Sequence, residues 1–331
     1  MATISVILNS YNQKEFFEQS ITSVLNQSYN DFELIISENG STDGSKKIIE
    51  KYKNIRNIKI LDYTKNDIIG KRFNQAIKAS SGKYISFLYS DDFINKKKFE
   101  IQLKEFNKLD EEYGVVYGDV EIFNQYNKIK LKRNVIKFDG YGLKYQLDNI
   151  HLYGHIDMVS PLIKKECLLQ HKFLENIFAE GEGIFLRISQ NYKFKYLAKT
   201  FAYFRDTKFN RGKAIIKNLN FHKKTLKVLK KNEIFKKKDY QQSLRKYLFY
   251  FTQNVAWGNF RANGGEVNTK KLFFNIVKIN NIKFFNIKTL LIFITILLPS
   301  FFLKRINTIL NKILKVKTSN VLIENYGGKD Y

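Results

Sequence analysis

The sequence predicts an α/β fold built on a mostly parallel central sheet flanked by helices. Three observations predict it. Short apolar runs alternate with segments whose apolar residues recur at helical spacing. Several of those runs end directly in polar clusters, where a parallel sheet would expose its carboxyl edge. The chain is also long and apolar enough for a sizeable core. It has 331 residues, 44% of them hydrophobic, so disorder along its whole length is excluded.

The elements follow in order. Ile4 to Leu8 is a short apolar run bounded by Asn9-Ser10-Tyr11-Asn12, a strand and then a loop. Glu15 to Leu25 has helical spacing at Phe16, Ile21, Val24 and Leu25. Phe32 to Ile36 is a second buried strand, ended by Ser37-Glu38-Asn39-Gly40. Ser45 to Tyr52 is helical, with Ile48, Ile49 and Tyr52 on one face. Ile58 to Leu61 is a third strand. Phe73 to Ala79 is a helix stopped by Ser80-Ser81-Gly82. Tyr84 to Leu88 is a fourth strand, running directly into Ser90-Asp91-Asp92. Val115 to Tyr117 is a further strand. The clusters Asn9–Asn12, Glu38–Asp43 and Ser90–Asp92 all follow strand ends, so they are expected to converge.

Beyond Arg205 this alternation fades. Residues 213–280 read as helical and basic, with Lys223-Lys224, Lys230-Lys231 and Lys236-Lys237-Lys238. A soft boundary falls near 210. The expected division is 1–210, subdivided into 1–125 and 126–210, then a basic helical region 211–331.

Charge is divided in the same way. The net charge is +26, which first suggests a polyanion such as nucleic acid. Residues 1–206 carry 31 Lys/Arg and 26 Asp/Glu, so they are nearly neutral. Residues 207–317 carry 25 against 3, a net +22, and the tail 318–331 is −1. Lys, Asn and Ile are abundant throughout, a bias that explains many lysines but not the disappearance of acids. The single cysteine, Cys167, excludes a disulfide scaffold or zinc ribbon and reads as a small buried hydrophobe. No charged and apolar leader opens the chain, so a reducing, cytoplasmic setting is expected.

Residues 289–303 form the most apolar stretch. As a helix they would span roughly 22 Å, against a hydrocarbon core of about 30 Å. Pro299 interrupts them. Lys304, Arg305, Lys312 and Lys315 then interleave with Ile306, Ile309, Leu310, Ile313 and Leu314. Residues 284–317 therefore read as a basic amphipathic segment suited to an anionic membrane surface. Packing in the core or a subunit contact, and a true span, are the alternatives.

Two motifs carry chemistry. Asp91-Asp92 closes a buried strand, and paired carboxylates there suit Mg2+ or Mn2+, which take substrate phosphates as further ligands. A pyrophosphate leaving group needs that compensation. The bland alternative is a solvated turn or helix cap. Glu38 also closes a strand and can accept the N–H of a nucleobase. Asn39-Gly40 permits a tight turn, and Ser41 or Thr42 can cap the helix starting near Asp43.

Six pieces in order resemble the nucleotide-sugar half of the family 2 glycosyltransferases. They are 5–12 (SVILNSYN), 20–29 (SITSVLNQSY), 32–36 (FELII), 38–43 (ENGSTD), 82–92 (GKYISFLYSDD) and 114–119 (GVVYGD). The likeness continues more faintly to about 206 through 156–165 and 185–188. It implies the GT-A fold, a Rossmann-like sheet with flanking helices, and transfer of a sugar from a nucleotide sugar, most simply a UDP-sugar. The acceptor would be a hydroxyl of a bacterial surface glycan, in capsule, O-antigen or lipooligosaccharide synthesis, with a lipid-linked carrier suggested by the C-terminal region.

By that resemblance Glu38 stands where an aspartate usually binds the base, and Asp91 and Asp92 stand on the motif that binds ribose and the divalent cation. Asn9, Ser10, Tyr11 and Lys71 join the donor site. There are departures. Tyr89 replaces the first Asp of Asp-Ser-Asp-Asp, and Asn9 replaces a Pro. The usual base lies six residues before the arginine matched by Arg187, and Gly181 occupies that position. Its neighbours Glu180 and Glu182 are the candidate bases for an inverting displacement, and the choice between them stays open. The histidine of many relatives is missing from Phe204-Arg205-Asp206-Thr207-Lys208, where Arg205 or Lys208 is expected to touch the diphosphate or face solvent. His155 and Asp157 fall in the acceptor region, although a lone His is often structural.

Two other functions are weighed. A nucleic-acid-binding protein would use the basic third, but RNP-type aromatics, zinc spacing and a clear recognition helix are missing. A catalytically weakened relative would keep donor binding without its base. The expected partners are therefore a nucleotide sugar, a glycan acceptor and the inner face of a membrane, without nucleic acid; self-association into a homo-oligomer is left open.

Overall fold

The fold was taken from a computed structural model, which describes residues 2–124, 129–176, 183–206, 224–263 and, within the following stretch, 289–290, 294, 302 and 305. The chain divides into two compact units, Met1–Gln146 with Leu152–Asp206, and Leu147–His151 with Thr207–Tyr331.

The first unit begins with β1 (Ile4–Ser10), α1 (Lys14–Leu25), β2 (Phe32–Asn39), α2 (Ser45–Glu50), β3 (Ile58–Tyr63), α3 (Ile69–Ala79) and β4 (Tyr84–Tyr89). It continues with β5 (Phe93–Ile94), α4 (Lys98–Phe106), β6 (Tyr113–Asn124), β7 (Ile129–Lys132) and α5 (Leu143–Tyr153), whose residues Leu147–His151 belong to the second unit. β8 (Leu162–Lys164), α6 (Lys165–Gln170), α7 (Gly183–Ile188) and β9 (Lys193–Arg205) complete it. The strands form one sheet in the order β3-β2-β1-β4-β8-β6-β9-β5, with β7 on β6. β3, β2, β1 and β4 run parallel. β8 runs antiparallel to both β4 and β6, while β6 and β9 are parallel to each other.

All seven residues of β1 are buried. A parallel strand covered on both faces should read as a continuous apolar run, and Ile4 to Leu8 does. Helix α1 turns Phe17, Ile21 and Val24 inward, and α3 does the same with Ile69, Phe73, Ala76 and Ile77. Each such side chain contributes about 1.5–3 kcal/mol on burial. β1 and β2 continue past the apolar runs into polar sequence. Their register sets Ser10 beside Glu38 and Asn9 beside Ser37, and on the other flank Asn9 lies beside Tyr89 of β4. The polar clusters therefore meet along one sheet edge. β1 lies between β2 and β4, so this is where successive strands leave in opposite directions, the usual ligand position in such sheets.

The second unit contains α8 (224–229), a 3-10 turn at Glu233–Lys236 and α9 (Lys238–Asn263). Asn232 starts the turn by accepting the Ile234 N–H at 3.0 Å. Leu226, Leu229, Phe235, Leu244 and Tyr247 are buried. The His151 ring stacks on Tyr250 with centroids 3.8 Å apart, and burial followed by the Lys246 charge pushes its pKa down to about 4. Most of the expected amphipathic segment 284–317 lies outside the described residues. Of those described, Leu290, Ile294 and Phe302 are helical and exposed. Among the described residues, no helix is long and apolar enough to cross a membrane.

Candidate active site

The edge formed by β1, β2 and β4 holds buried polar atoms without hydrogen-bond partners. They are both side-chain atoms of Asn9, Ser10 Oγ, Ser37 Oγ and Asp92 Oδ2. Leaving such a group unsatisfied costs about 1–3 kcal/mol. A cluster of them at a switch point calls for water, an ion or a polar ligand to complete its hydrogen bonds.

The Asp91–Asp92 turn is held from several sides. The Asp92 N–H donates to the Tyr89 carbonyl at 3.1 Å. The Ser20 hydroxyl of α1 donates to the Asp92 carbonyl at 2.5 Å. Asp92 Oδ1 accepts the Arg205 backbone N–H at 2.9 Å, which leaves Oδ2 as the unsatisfied oxygen. Gln13 reaches Asp91 Oδ2 at 3.4 Å. Burial pushes the Asp92 carboxyl well above the usual carboxylate range, and the Asp91 charge adds to that. The Arg205 N–H opposes the shift; Asp157 and Arg133 act in opposite directions on it. A divalent cation would supply the missing positive charge, because a bound ion reverses the local pKa balance. The hard oxygens of Asp91 and Asp92 suit Mg2+ or Mn2+. Among the described residues no group of three or more His, Cys, Asp or Glu gathers to hold a metal, so such an ion would complete its shell with donor phosphates and water.

Glu38 folds its own turn. It is buried, and its carboxylate accepts the Gly40 N–H at 3.0 Å and the Ser41 N–H at 2.8 Å. Lys46 stands 3.5 Å away. Gly40 has φ +77°, and a Cβ there would sit 2.6 Å from the backbone of Lys65 and Asn66. Only glycine allows this turn to approach that loop. Asn39 then fixes the loop, donating to Asn66 and Asp67 and accepting from Arg72. The Arg72 guanidinium lies 3.6 Å from the Tyr63 ring centroid. Lys71 is half exposed and pairs with Asp67 at 2.8 Å. Neither Ser41 nor Thr42 caps α2 as expected. Ser41 Oγ accepts the Asn12 N–H at 3.0 Å, and Asp43 receives the Ser45 N–H at 2.9 Å instead. Tyr11, in the bend after β1, is half-buried.

The acceptor-side expectations separate. Asp157 is buried and pairs with Arg133. His155 is half-buried in the connection after α5. Glu180, Glu182 and Lys208 lie outside the described residues. Arg205 is buried, and its guanidinium bonds the Asp91 carbonyl and Gln19 rather than opening toward solvent. Two participants had no sequence signal. Lys98 hid in the run Lys96-Lys97-Lys98, which looks solvated. It is buried, and its Nζ donates to Ser86 Oγ and the Val159 carbonyl, each at 2.7 Å. Burial lowers its pKa to about 7, opposed by Asp157. Arg133 had no motif at all, yet its charge acts on Asp92.

A Rossmann-like sheet, with helices on its faces and a polar edge ending in Asp91-Asp92, defines a GT-A fold. In agreement, residues 1–349 of S. aureus TarS, solved in complex with UDP-GlcNAc, superpose with a TM-score of 0.66 over 86% of this chain and 82% of that one, at 16% identity. The family model of Glycosyl transferase family 2 matches residues 5–161. An uncharacterised glycosyltransferase of Haemophilus influenzae is 30% identical over 208 residues, covering 61% of this chain and 79% of that protein. The Escherichia coli protein WfgD, named a UDP-Glc:alpha-D-GlcNAc-diphosphoundecaprenol beta-1,3-glucosyltransferase, is 36% identical over 123 residues, 37% of this chain and 47% of WfgD. The chain belongs to glycosyl transferase family 2. It spans less than half the length of several other curated relatives it matches.

Proposed function

We propose that this chain is an inverting glycosyltransferase that moves a sugar from a UDP-sugar to a hydroxyl of a bacterial surface glycan. The observation that carries the reading is the set of buried, unsatisfied polar atoms of Asn9, Ser10 and Asp92 at the switch point. Asn9, Ser10, Tyr11 and Glu38 would line the nucleoside, and Lys71 would stand at its margin. Asp91 and Asp92 would hold a divalent cation, which supplies charge compensation to the departing diphosphate. Glu180 or Glu182 would take the proton of the acceptor hydroxyl as its oxygen forms the new bond to the anomeric carbon. The bond from that carbon to the diphosphate oxygen breaks in the same displacement, with inversion.

A lipid-linked acceptor suits a chain whose charge is concentrated in one unit. The acid-poor second unit and the exposed Leu290, Ile294 and Phe302 support apposition to an anionic membrane surface. WfgD is named for a diphosphoundecaprenol acceptor, which supports the same class here. The test is calorimetric binding of UDP-sugars with and without Mn2+, followed by assay of donor hydrolysis. Mn2+-dependent UDP-sugar binding that is lost in Asp92→Ala is expected. Unchanged binding in that variant removes the metal role, and no nucleotide-sugar binding in the intact protein removes the transferase reading.

A further inference from the structure

We infer that Arg205 is a positioning residue that clamps the Asp91–Asp92 turn onto α1 and so sets where Asp92 Oδ2 points. The consequence for metal and donor rests on the transferase reading; the clamp itself does not.

Arg205 ends β9 and is buried. Its backbone N–H donates to Asp92 Oδ1 at 2.9 Å, and its Nε donates to the Asp91 carbonyl at 3.0 Å. Nη2 donates to Gln19 of α1. The guanidinium lies 4.3 Å from the Phe16 centroid and 5.3 Å from that of Phe123. A buried guanidinium is costly unless its donors are used and its faces covered. Here rings and carbonyl oxygens do both. From α1 itself, the Ser20 hydroxyl donates to the Asp92 carbonyl at 2.5 Å. The turn is therefore pinned between α1 and β9.

The carboxylate has a broad torsional preference by itself. With Oδ1 tied to the end of β9, the direction of Oδ2 follows from the position of Arg205. A planar fork holds the Asp91 carbonyl and Gln19 in one preset geometry, which the flexible ammonium of a lysine does not impose. The Nε donor and one Nη2 donor are held inside the protein, so Arg205 acts on the turn whether or not another donor reaches a diphosphate.

The test compares Arg205→Lys, Arg205→Gln and Gln19→Ala in the full chain. Amide hydrogen exchange is read for residues 89–94. Both Arg205 variants are expected to exchange there about tenfold faster, with β1 and β2 unchanged, and Gln19→Ala is expected to move in the same direction by less. Unchanged exchange in 89–94 overturns the clamp. UDP affinity is then measured with and without Mn2+. The gain from Mn2+ is expected to fall about tenfold, the usual scale for residues supporting a metal ligand, while metal-free UDP affinity holds. Loss of metal-free UDP binding with unchanged exchange assigns Arg205 to the diphosphate and overturns the inference. An intact protein that binds no nucleotide removes the transferase reading, and the exchange result still decides the clamp. If Arg205→Gln fails to fold, Arg205→Lys and Gln19→Ala carry the comparison.

Discussion

In the first unit Lys46 rests on Asp62, Lys51 on Glu18, Lys164 on Glu111, Lys193 on Asp110 and Glu112, and Lys195 on Asp139. In the second, Lys227, Lys230, Lys231, Lys237, Lys238 and Arg245 are exposed and form no ion pair among the described residues. The Lys236–Glu233 pair there is local and exposed. A lysine-rich composition explains the number of cations in both units. It does not explain why residues 1–206 nearly balance their cations with acids and residues 207–317 do not. Exposed pairs contribute little stability, about 0–1 kcal/mol each. Unpaired cations on one unit sum into a field that favours an anionic surface. On the proposed function, the neutral unit would carry the donor chemistry and the basic unit would set location.

The largest effect should fall in the neutral unit alone. Of Glu180→Gln and Glu182→Gln, one is expected to lower kcat by about 10²- to 10⁴-fold, the range of a general base, with liposome binding unchanged. Full transfer activity in the double variant would remove both assignments. Asp92→Asn should cost on the order of 10²- to 10³-fold in Mn2+-supported turnover, the scale of a lost electrostatic stabiliser; equal turnover with and without metal in the intact protein would count against its role.

The next effect should fall in the basic unit alone. Lys227, Lys230 and Lys231 changed together to Gln should weaken sedimentation with phosphatidylserine vesicles by roughly a hundredfold, at about 1 kcal/mol per cation near the surface. UDP-sugar hydrolysis should stay at the level of the unaltered protein. Tight, salt-sensitive nucleic-acid binding by the intact chain, lost in this variant, would reassign the field.

The smallest effect concerns the exception within the neutral unit. Lys98 is buried, and burial holds its pKa at about 7 against an ordinary 10.5. Between those values the unfolded chain binds the extra proton, so stability rises with pH. From pH 7 to pH 9 the unaltered protein should gain about 2 kcal/mol relative to Lys98→Met. Urea unfolding at the two pH values reads this; parallel changes would mean that Lys98 stays charged in the fold.

Some features were legible because they are local. β1, β2 and β4 appear as continuous apolar runs, and the turn after Glu38 announces itself through Asn39-Gly40. β5 and β8 did not appear, because two and three residues are too short to display a period. β9 mixes lysines with aromatics, and its burial follows from β6 rather than from its own pattern. Lys98 carries no local signal, because the face a helix turns inward is set by what packs on it.

The sequence by itself determined the α/β order, the edge at which Asn9, Glu38 and Asp91-Asp92 meet, and the concentration of charge beyond residue 206. Tertiary structure decided what each polar atom at that edge does. It tied the Glu38 carboxylate to the backbone of its own turn and turned Arg205 from solvent onto Asp91. It also left Asp92 Oδ2 without a partner. The physical reason is distance along the chain. Arg205 meets Asp92 across a separation of 113 residues, and Lys98 meets Val159 across 61. Local spacing identifies which residues could do chemistry, but hydrogen-bond partners brought from far away determine which atoms remain available for it.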